Sequence, residues 1–308
     1  MGRCRSCGGN VGTIFEMGEM PLPNRLMATQ WDAFEGYDLN LELCSDCELV
    51  QIQSYVAPGK MFSDYTYLSS ASKPWVREAE LLTQRMLPNL SDKSLVVEIA
   101  SNDGYLLDHY KKWNVPVLGI DPSKVAAEKA LLKGIPTMTE FFDFKLAASL
   151  PKADVIHAHN VLAHVPDINN FIEGIRVLLK PKGVAIFDVQ ALEPILEKTL
   201  IDNIYHEHIY YFTYTSLADL FGRHDLEAVI EDIPAHGGSL RCWVRKGKEW
   251  KSGFYRIAYE AKVPIFPVIF DGPARRIRFC PAFQPTGDYD ADLPELLKLY
   301  EGVRGIKV

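Results

Sequence analysis

Between residues 92 and 190 short apolar runs alternate with amphipathic stretches, and this alternation limits the fold more than any other feature of the chain. Leu95–Ala100 is the first run; it ends in Ser101-Asn102-Asp103-Gly104, and the pattern predicts a helix from Tyr105. Val115–Ile120 is the second, closed by Asp121-Pro122 and followed by an alanine-rich helix reaching Lys133. Ala153–His159 makes a third, then come a helix over 168–179, a Pro181-Lys182-Gly183 turn and the strand Val184–Val189. Strands joined through helices must lie parallel, with helices covering both faces of the sheet. The expected fold class is therefore α/β.

Ligands of such sheets bind outside the carboxyl ends of the strands. The first turn here, Glu98-Ile-Ala-Ser-Asn-Asp-Gly104, lacks G-x-G-x-x-G, which fits a cofactor without a pyrophosphate. Asp121 closes the second run, where an acid can accept both hydroxyls of a ribose. Glu98 with Asp121 resembles the pattern of S-adenosylmethionine (SAM) methyltransferases.

Four of the six cysteines fall as Cys4-x-x-Cys7 and Cys44-x-x-Cys47. Each C-x-x-C turn sets two sulfurs on one side of a loop, and two such turns complete a tetrahedral S4 shell for Zn²⁺. Protein ligands fill all four positions, so the expected metal is structural. Cys242 and Cys280 stand in apolar, strand-like contexts and read as core residues. From Trp75 onward, Val76, Ala79, Leu81, Leu82, Met86 and Leu87 recur at helical spacing.

The chain is 47% hydrophobic and 24% charged, with 33 Lys plus Arg against 40 Asp plus Glu and a net charge of −7. That acidic balance speaks against nucleic acid or an anionic membrane as partner. No uncharged apolar run reaches the roughly 18 residues of a bilayer span. The expected protein is a cytoplasmic monomer.

Several longer strings occur in one order: the paired C-x-x-C, Tyr67-Leu-Ser-Ser70, VVEIASNDGYLL (96–107), NVLAHVPDINNF (160–171), Tyr205-His206-Glu207-His208 and His236-Gly-Gly-Ser-Leu-Arg241. Together they resemble the SAM-dependent sugar C-methyltransferases over residues 1–246. The resemblance implies a Rossmann-like class I methyltransferase core. It implies zinc on Cys4, Cys7, Cys44 and Cys47, and SAM near Glu98, Ala100, Asn102, Gly104, Asp121 and Asn160. It places a nucleotide-diphosphate-linked deoxy-ketosugar near Tyr65–Ser70, His164 and the Tyr205–His208 string.

The chemistry asks for those residue types. Carbon becomes nucleophilic only when a proton leaves next to a carbonyl, so C-methylation needs a base aimed at that C–H. Histidine, with an ordinary pKa of about 6.5, is poised for the task, and the enolate needs a nearby donor. On the resemblance, His208 is the base, with Tyr205 or His164 as enolate donor and Tyr65 nearby. Glu207 either orients a histidine or holds a sugar hydroxyl. An extended Y-H-E-H segment would put His206 and His208 on one face.

Residues 249–308 resemble instead the C-terminal part of a glycerophospholipid-type acyltransferase. There a G-F-Y-x-I-A helix (253–261 here) precedes the Val263–Val268 block, a strand over 263–270, a hairpin, a proline loop and a final helix. That family's H-x4-D and E-G-T-R elements are missing, so acyl transfer is not expected. The tail is instead expected to be atypical, joined near Arg245–Lys248 in a chimeric or truncated chain and only loosely attached to the core. The expected division is 1–72, a zinc and substrate-side module; 73–246, the methyltransferase core; and 247–308, the tail. Two rivals stay open: methyl transfer to a non-sugar small molecule, and a catalytically impaired SAM- and zinc-binding remnant.

Overall fold

The computed structural model describes residues 2–23, 29, 35–57, 68–234, 237–247, 253–271 and 276–300. They fall into two compact units, Met1–Gly247 and Lys248–Val308.

The first unit opens with two cysteine knuckles and three antiparallel strands: β1 (Val11–Pro21), β2 (Gly36–Cys44) and β3 (Val50–Ile52). The knuckles repeat one another. Gly8 N–H donates to the Cys4 carbonyl and Glu48 N–H to the Cys44 carbonyl, at 2.9 and 3.1 Å. Gly8 and Glu48 take the same left-handed backbone, φ 77° and 60°. Glycine enters that region freely, whereas a residue with a Cβ does so at a cost.

Helix α1 (Lys73–Met86) starts on Pro74, whose missing N–H is harmless in a first turn. The core then runs β4 (Val96–Ile99), α2 (Leu107–Lys111), β5 (Val117–Ile120), α3 (Lys124–Leu132), β6 (Thr137–Met138), α4 (Phe144–Ser149), β7 (Ala153–His159), α5 (Ile168–Leu178) and β8 (Leu179–Gln190). It continues with α6 (Leu192–Glu197), β9 (Tyr210–Tyr211), α7 (Tyr214–Gly222), β10 (Leu226–Ile233) and β11 (Ser239–Lys246). Seven strands form one sheet in the order β10-β11-β8-β7-β4-β5-β6. The five from β8 to β6 are parallel, as the alternation predicts, and β10 and β11 pair antiparallel at one edge. Buried apolar side chains cover both faces of this sheet.

Two local expectations need correction. The helix expected from Tyr105 begins at Leu107, because the chain spends residues 100–106 on a tight turn with left-handed backbone at Ala100, Asn102 and Gly104. Pro181-Lys182-Gly183 is not a turn before a strand; β8 runs through it, and its register with β7 slips between Ala153 and Val155. Gly183 lets the strands close there: a Cβ would meet the Ala153 and Asp154 carbonyl oxygens at 3.0 Å.

The order β5-β4-β7 marks the switch point of the sheet, where connections leave β4 in opposite directions. A crevice opens there outside the carboxyl ends of the strands.

The second unit holds α8 (Gly253–Ala261), a hairpin of β12 (Val268–Asp271) with β13 (Arg276–Phe279), and α9 (Tyr289–Lys298). The strand expected over 263–270 is confined to β12. Pro264 and Pro267 lack the N–H a ladder needs, and Ile265 forms only an isolated bridge with Phe283. Cys280, read as a core residue, is only half-buried, whereas Cys242 is fully buried in β11. No helix among the described residues is long and apolar enough to cross a membrane.

Candidate active site

A cavity of about 830 Å³ occupies the crevice. On one side it meets the ends of β4 and β5: Glu98, Ala100, Asn102 and Asp121 all line it. Four residues expected at the cofactor, Ala100, Asn102, Gly104 and Asn160, have positive φ between 50° and 72°. At the three that carry a Cβ, Ala100, Asn102 and Asn160, such strain persists only where surrounding contacts fix it, and it gathers at ligand clamps.

The contacts are visible. Asp121 accepts the Asn102 N–H at one oxygen and the Ser123 N–H at the other, both at 2.8 Å. Each carboxylate oxygen keeps a second lone pair for a hydroxyl. Burial pushes the Asp121 carboxyl up, and these two N–H bonds offset only part of that rise. Asn102 Oδ1 accepts N–H bonds from Ser69 and Asp103, both at 2.9 Å, tying the start of the α1 segment to the turn. Glu98 is buried, and its Oε2 has no hydrogen-bond partner among the described residues. A cationic, hydroxyl-bearing cofactor fits this cradle: one acid holds lone pairs toward a ribose, and the other lacks a partner for its charge.

The opposite wall is the Tyr205–His208 segment. It is a turn, not a strand: His208 N–H donates to the Tyr205 carbonyl at 3.0 Å. The two histidines consequently part. His206 turns into the zinc module, donating Nε2–H to the Tyr37 carbonyl at 3.1 Å with its ring edge-on to Tyr37. His208 faces the cavity with Tyr205 and Glu207. Its Nδ1–H donates to the Asn203 carbonyl at 3.2 Å, which leaves Nε2 as the acceptor of the Tyr205 hydroxyl at 2.9 Å. His164 stacks edge-on against His208, ring centres 5.0 Å apart. Burial pulls His164 down to about 4, so this imidazole is neutral across the physiological range. Tyr65 lies outside the described residues.

Zinc-module contacts hold the turn in place. Strand β9, two residues past His208, pairs with β3, and Ile52 N–H donates to the Ile209 carbonyl at 3.0 Å. Asn169 at the start of α5 grips the Arg5 and Ser6 carbonyls, both at 2.9 Å. The four Sγ atoms lie within 4.8 Å of one another, with Cys4–Cys47 at 3.6 Å and Cys7–Cys44 at 3.5 Å. A tetrahedral zinc with bonds of about 2.3 Å needs edges of about 3.8 Å, whereas a disulfide needs about 2.0 Å. N–H groups of Cys7, Gly9 and Asp46 point at Cys4, Cys7 and Cys44 sulfurs at 3.4–3.5 Å, which favours thiolates. The Cys47 thiol, hydrogen-bonded to Cys4, draws the Cys4 thiol down to about 5. The donor set fits zinc.

Comparison with known proteins adds two family matches. A profile described as "Putative zinc binding domain" covers residues 4–62, and one described as "Methyltransferase domain" covers 73–231, more than half the chain. The chain belongs to the methyltransferase-domain family. SAM is the cofactor of this methyltransferase, and zinc is its structural metal. The protein named C-methyltransferase NovU, from Streptomyces niveus, is 29% identical over 247 residues, 77% of this chain and 59% of that protein. A ubiquinone biosynthesis O-methyltransferase from Histophilus somni is 33% identical over 34% of the chain and 48% of its own length. The methyltransferase therefore spans about half of each of these two relatives. Among solved structures, magnesium protoporphyrin IX methyltransferase (ChlM) from Synechocystis PCC 6803, with bound SAM, covers 61% of this chain and 89% of its own at 14% identity and a TM-score of 0.44.

Behind the cavity the methyltransferase carries a buried polar chain that the sequence reading passed over. Tyr110 on α2 meets His157 Nε2 at 2.8 Å, and His157 Nδ1 meets His159 Nε2 at 2.9 Å. His159 Nδ1–H donates to Asp188 on β8 at 2.7 Å, and Arg241 on β11 clamps Asp188 with two bonds of 2.7 and 2.9 Å. Arg241 also reaches Glu78 on α1 at 2.9 Å. Burial alone would raise the Asp188 carboxyl, but His159 and Arg241 outweigh it and hold it below the usual carboxylate range. The Asp188 carbonyl also accepts the N–H of Asn160, fixing that left-handed residue at the cavity edge. Polar residues at 157, 159, 188 and 241 inside apolar strands were the available signal.

Proposed function

We propose that this methyltransferase is a SAM-dependent C-methyltransferase that acts on a nucleotide-diphosphate-linked deoxy-ketosugar. The observation that carries the reading is the Tyr205–His208 pair facing the cofactor cradle across one cavity. SAM, when bound, supplies an electrophilic methyl group. In the free protein the Tyr205 hydroxyl occupies His208 Nε2. A ketone oxygen in the cavity competes for that hydroxyl and so frees the Nε2 lone pair. His208 then takes the proton from the adjacent carbon while Tyr205 donates to the oxygen that gains charge. The Asn203 carbonyl, holding Nδ1–H, keeps the basic nitrogen on the substrate side. Neutral His164 packs against His208 without adding a competing charge, and Glu207 takes a sugar hydroxyl.

The 29% identity to NovU across 77% of the chain supports the carbon acceptor over oxygen, since the O-methyltransferase match extends over 34%. Residues 1–72 are read as the zinc and substrate-side module and 73–246 as the transfer core. The 247–308 tail is read as an acyltransferase-type fragment, on the helix, hairpin and final helix that α8 to α9 form in the expected order; it enters no step. The chain is read as a monomer, and a thiolate zinc site suits a reducing cytoplasm.

The test is a panel of dTDP-linked ketosugars with labelled SAM, with NMR of the product locating the methyl group. With a competent sugar, His208→Asn should slow C–H exchange with D2O at that carbon by about 10²–10⁴ while SAM affinity holds. Unchanged exchange would remove His208 from the role, and label on a heteroatom would remove C-methylation.

A further inference from the structure

Among the described acids that line the cavity, Glu98 is the one with a buried oxygen that no donor reaches. It is 2% exposed, lines the cavity and leaves Oε2 without a hydrogen bond among the described residues. Its neighbours on every packed element are neutral or negative. The register partner on β5 is Gly119, and on β7 it is His157, which burial keeps uncharged. The Tyr110 phenol of α2 faces it, and Asp121 and Asp103 approach from the end of β5 and from the turn. The nearby cation, Lys133, is spent on Asp103, to which it bonds at 2.8 Å. A buried carboxylate with neither hydrogen bond nor counter-charge is costly enough that it takes up a proton instead.

We propose that Glu98 is a charge selector: it is a neutral acid in the free protein and becomes a carboxylate when the positively charged methionine portion of SAM enters, releasing its proton to solvent. Burial and the two acids hold the free carboxyl well above its usual range, consistent with the empty-site form. The balance is simple. One O–H bond breaks, the proton leaves to the buffer, and the new carboxylate is neutralised by the ligand's cation. Binding energy then depends on ligand charge, so the site discriminates against neutral nucleosides that share the adenosine part. By linkage, SAM affinity rises with pH below the free titration of Glu98 and levels off above it.

This inference rests only on the cofactor half of the proposed function, and the test separates the two. Calorimetry at pH 6 in buffers of different ionisation heat counts the protons released per bound ligand. SAM binding should release close to one proton, and adenosine, which lacks both the sulfonium and the ammonium, should release none. Between pH 5 and 7, where the ligand's amino group stays charged, SAM affinity should climb by up to about tenfold per pH unit. Glu98→Gln should flatten that slope, abolish the release and weaken SAM while leaving adenosine unchanged. Tight SAM binding without proton release overturns the inference and leaves the methyltransferase reading intact. So does equal release with adenosine, or a release that survives Glu98→Gln and vanishes in Asp121→Asn. Failure to bind SAM at all overturns the cofactor assignment itself. If Glu98→Gln does not fold, the comparison of SAM with adenosine on the unaltered protein still decides.

Discussion

The two walls of the cavity are held in place by different means. The cofactor wall runs from Glu98 to Asp121 through β4, a turn, α2 and β5, and its hydrogen bonds come from nearby in the chain, none from more than 33 residues away: Asn102 to Asp121, Ser123 to Asp121, Asp103 to Asn102 and Ser69 to Asn102. The wall proposed to carry the chemistry is a four-residue turn whose supports come from far along the chain. His206 is anchored to Tyr37, 169 residues away, and the strand that follows the turn completes the sheet of the zinc module. A parallel sheet provides its switch-point crevice as a consequence of connectivity, so the cofactor wall needs little beyond its own loops. A turn with no regular ladder of its own borrows rigidity, and here the lender is a module that itself depends on a metal. This difference predicts that binding and chemistry are separable, so that one can be lost while the other stays.

The largest test of that separation is Cys44→Ser. Structural zinc contributes on the order of 10–16 kcal/mol to small modules, so this change should empty the site by metal analysis and loosen the Tyr205–His208 turn. Substrate C–H exchange should vanish while SAM still binds the core. Loss of SAM binding in a protein whose core sheet remains folded would show that the walls are one unit.

Asp188→Asn acts behind both walls. It strips the clamp from a buried Arg241 whose other partner, Glu78, is 40% exposed on its side chain. Removing one member of a buried pair costs about 3–5 kcal/mol, and the remaining Glu78 contact argues for the low end in urea unfolding. A cost below about 1 kcal/mol would mean that the chain of His157, His159 and Asp188 does not brace the strand ends.

Asp121→Ala sharpens the comparison from the cofactor side. Charge-assisted hydrogen bonds are worth about 1.5–3 kcal/mol each, so SAM affinity by calorimetry should fall about ten- to a hundred-fold. The zinc content and the His206–Tyr37 anchor should be untouched. Unchanged affinity would place the ribose elsewhere.

The smallest effect belongs to the second knuckle. Glu48 holds φ 60° where its counterpart is Gly8. Glu48→Gly relieves a left-handed conformation worth about 1 kcal/mol, partly offset by glycine's greater freedom when unfolded. Thermal unfolding should shift upward by a degree or two if the module melts with the core, and not at all if it melts separately.

What the sequence determined by itself is what local rules control. Paired C-x-x-C spacing, strand–helix alternation and an acid at a strand end are each fixed within a few residues, and they were enough for the four-cysteine cluster, the sheet and the placing of Glu98 and Asp121 at the crevice. The orientation of Tyr205–His208 was not legible, because four residues cannot say whether they extend or turn until β9 finds β3 and His206 finds Tyr37. Nor was the Tyr110–His157–His159–Asp188–Arg241 chain, whose members sit on four elements and meet only when the sheet closes. The Pro181–Gly183 segment was misread for the same reason: its composition says turn, and only the neighbouring strand makes it a bulge in β8. Short-range geometry is written in spacing and propensity, but the partner of a buried polar group is chosen by packing across the sheet, where sequence distance carries no information.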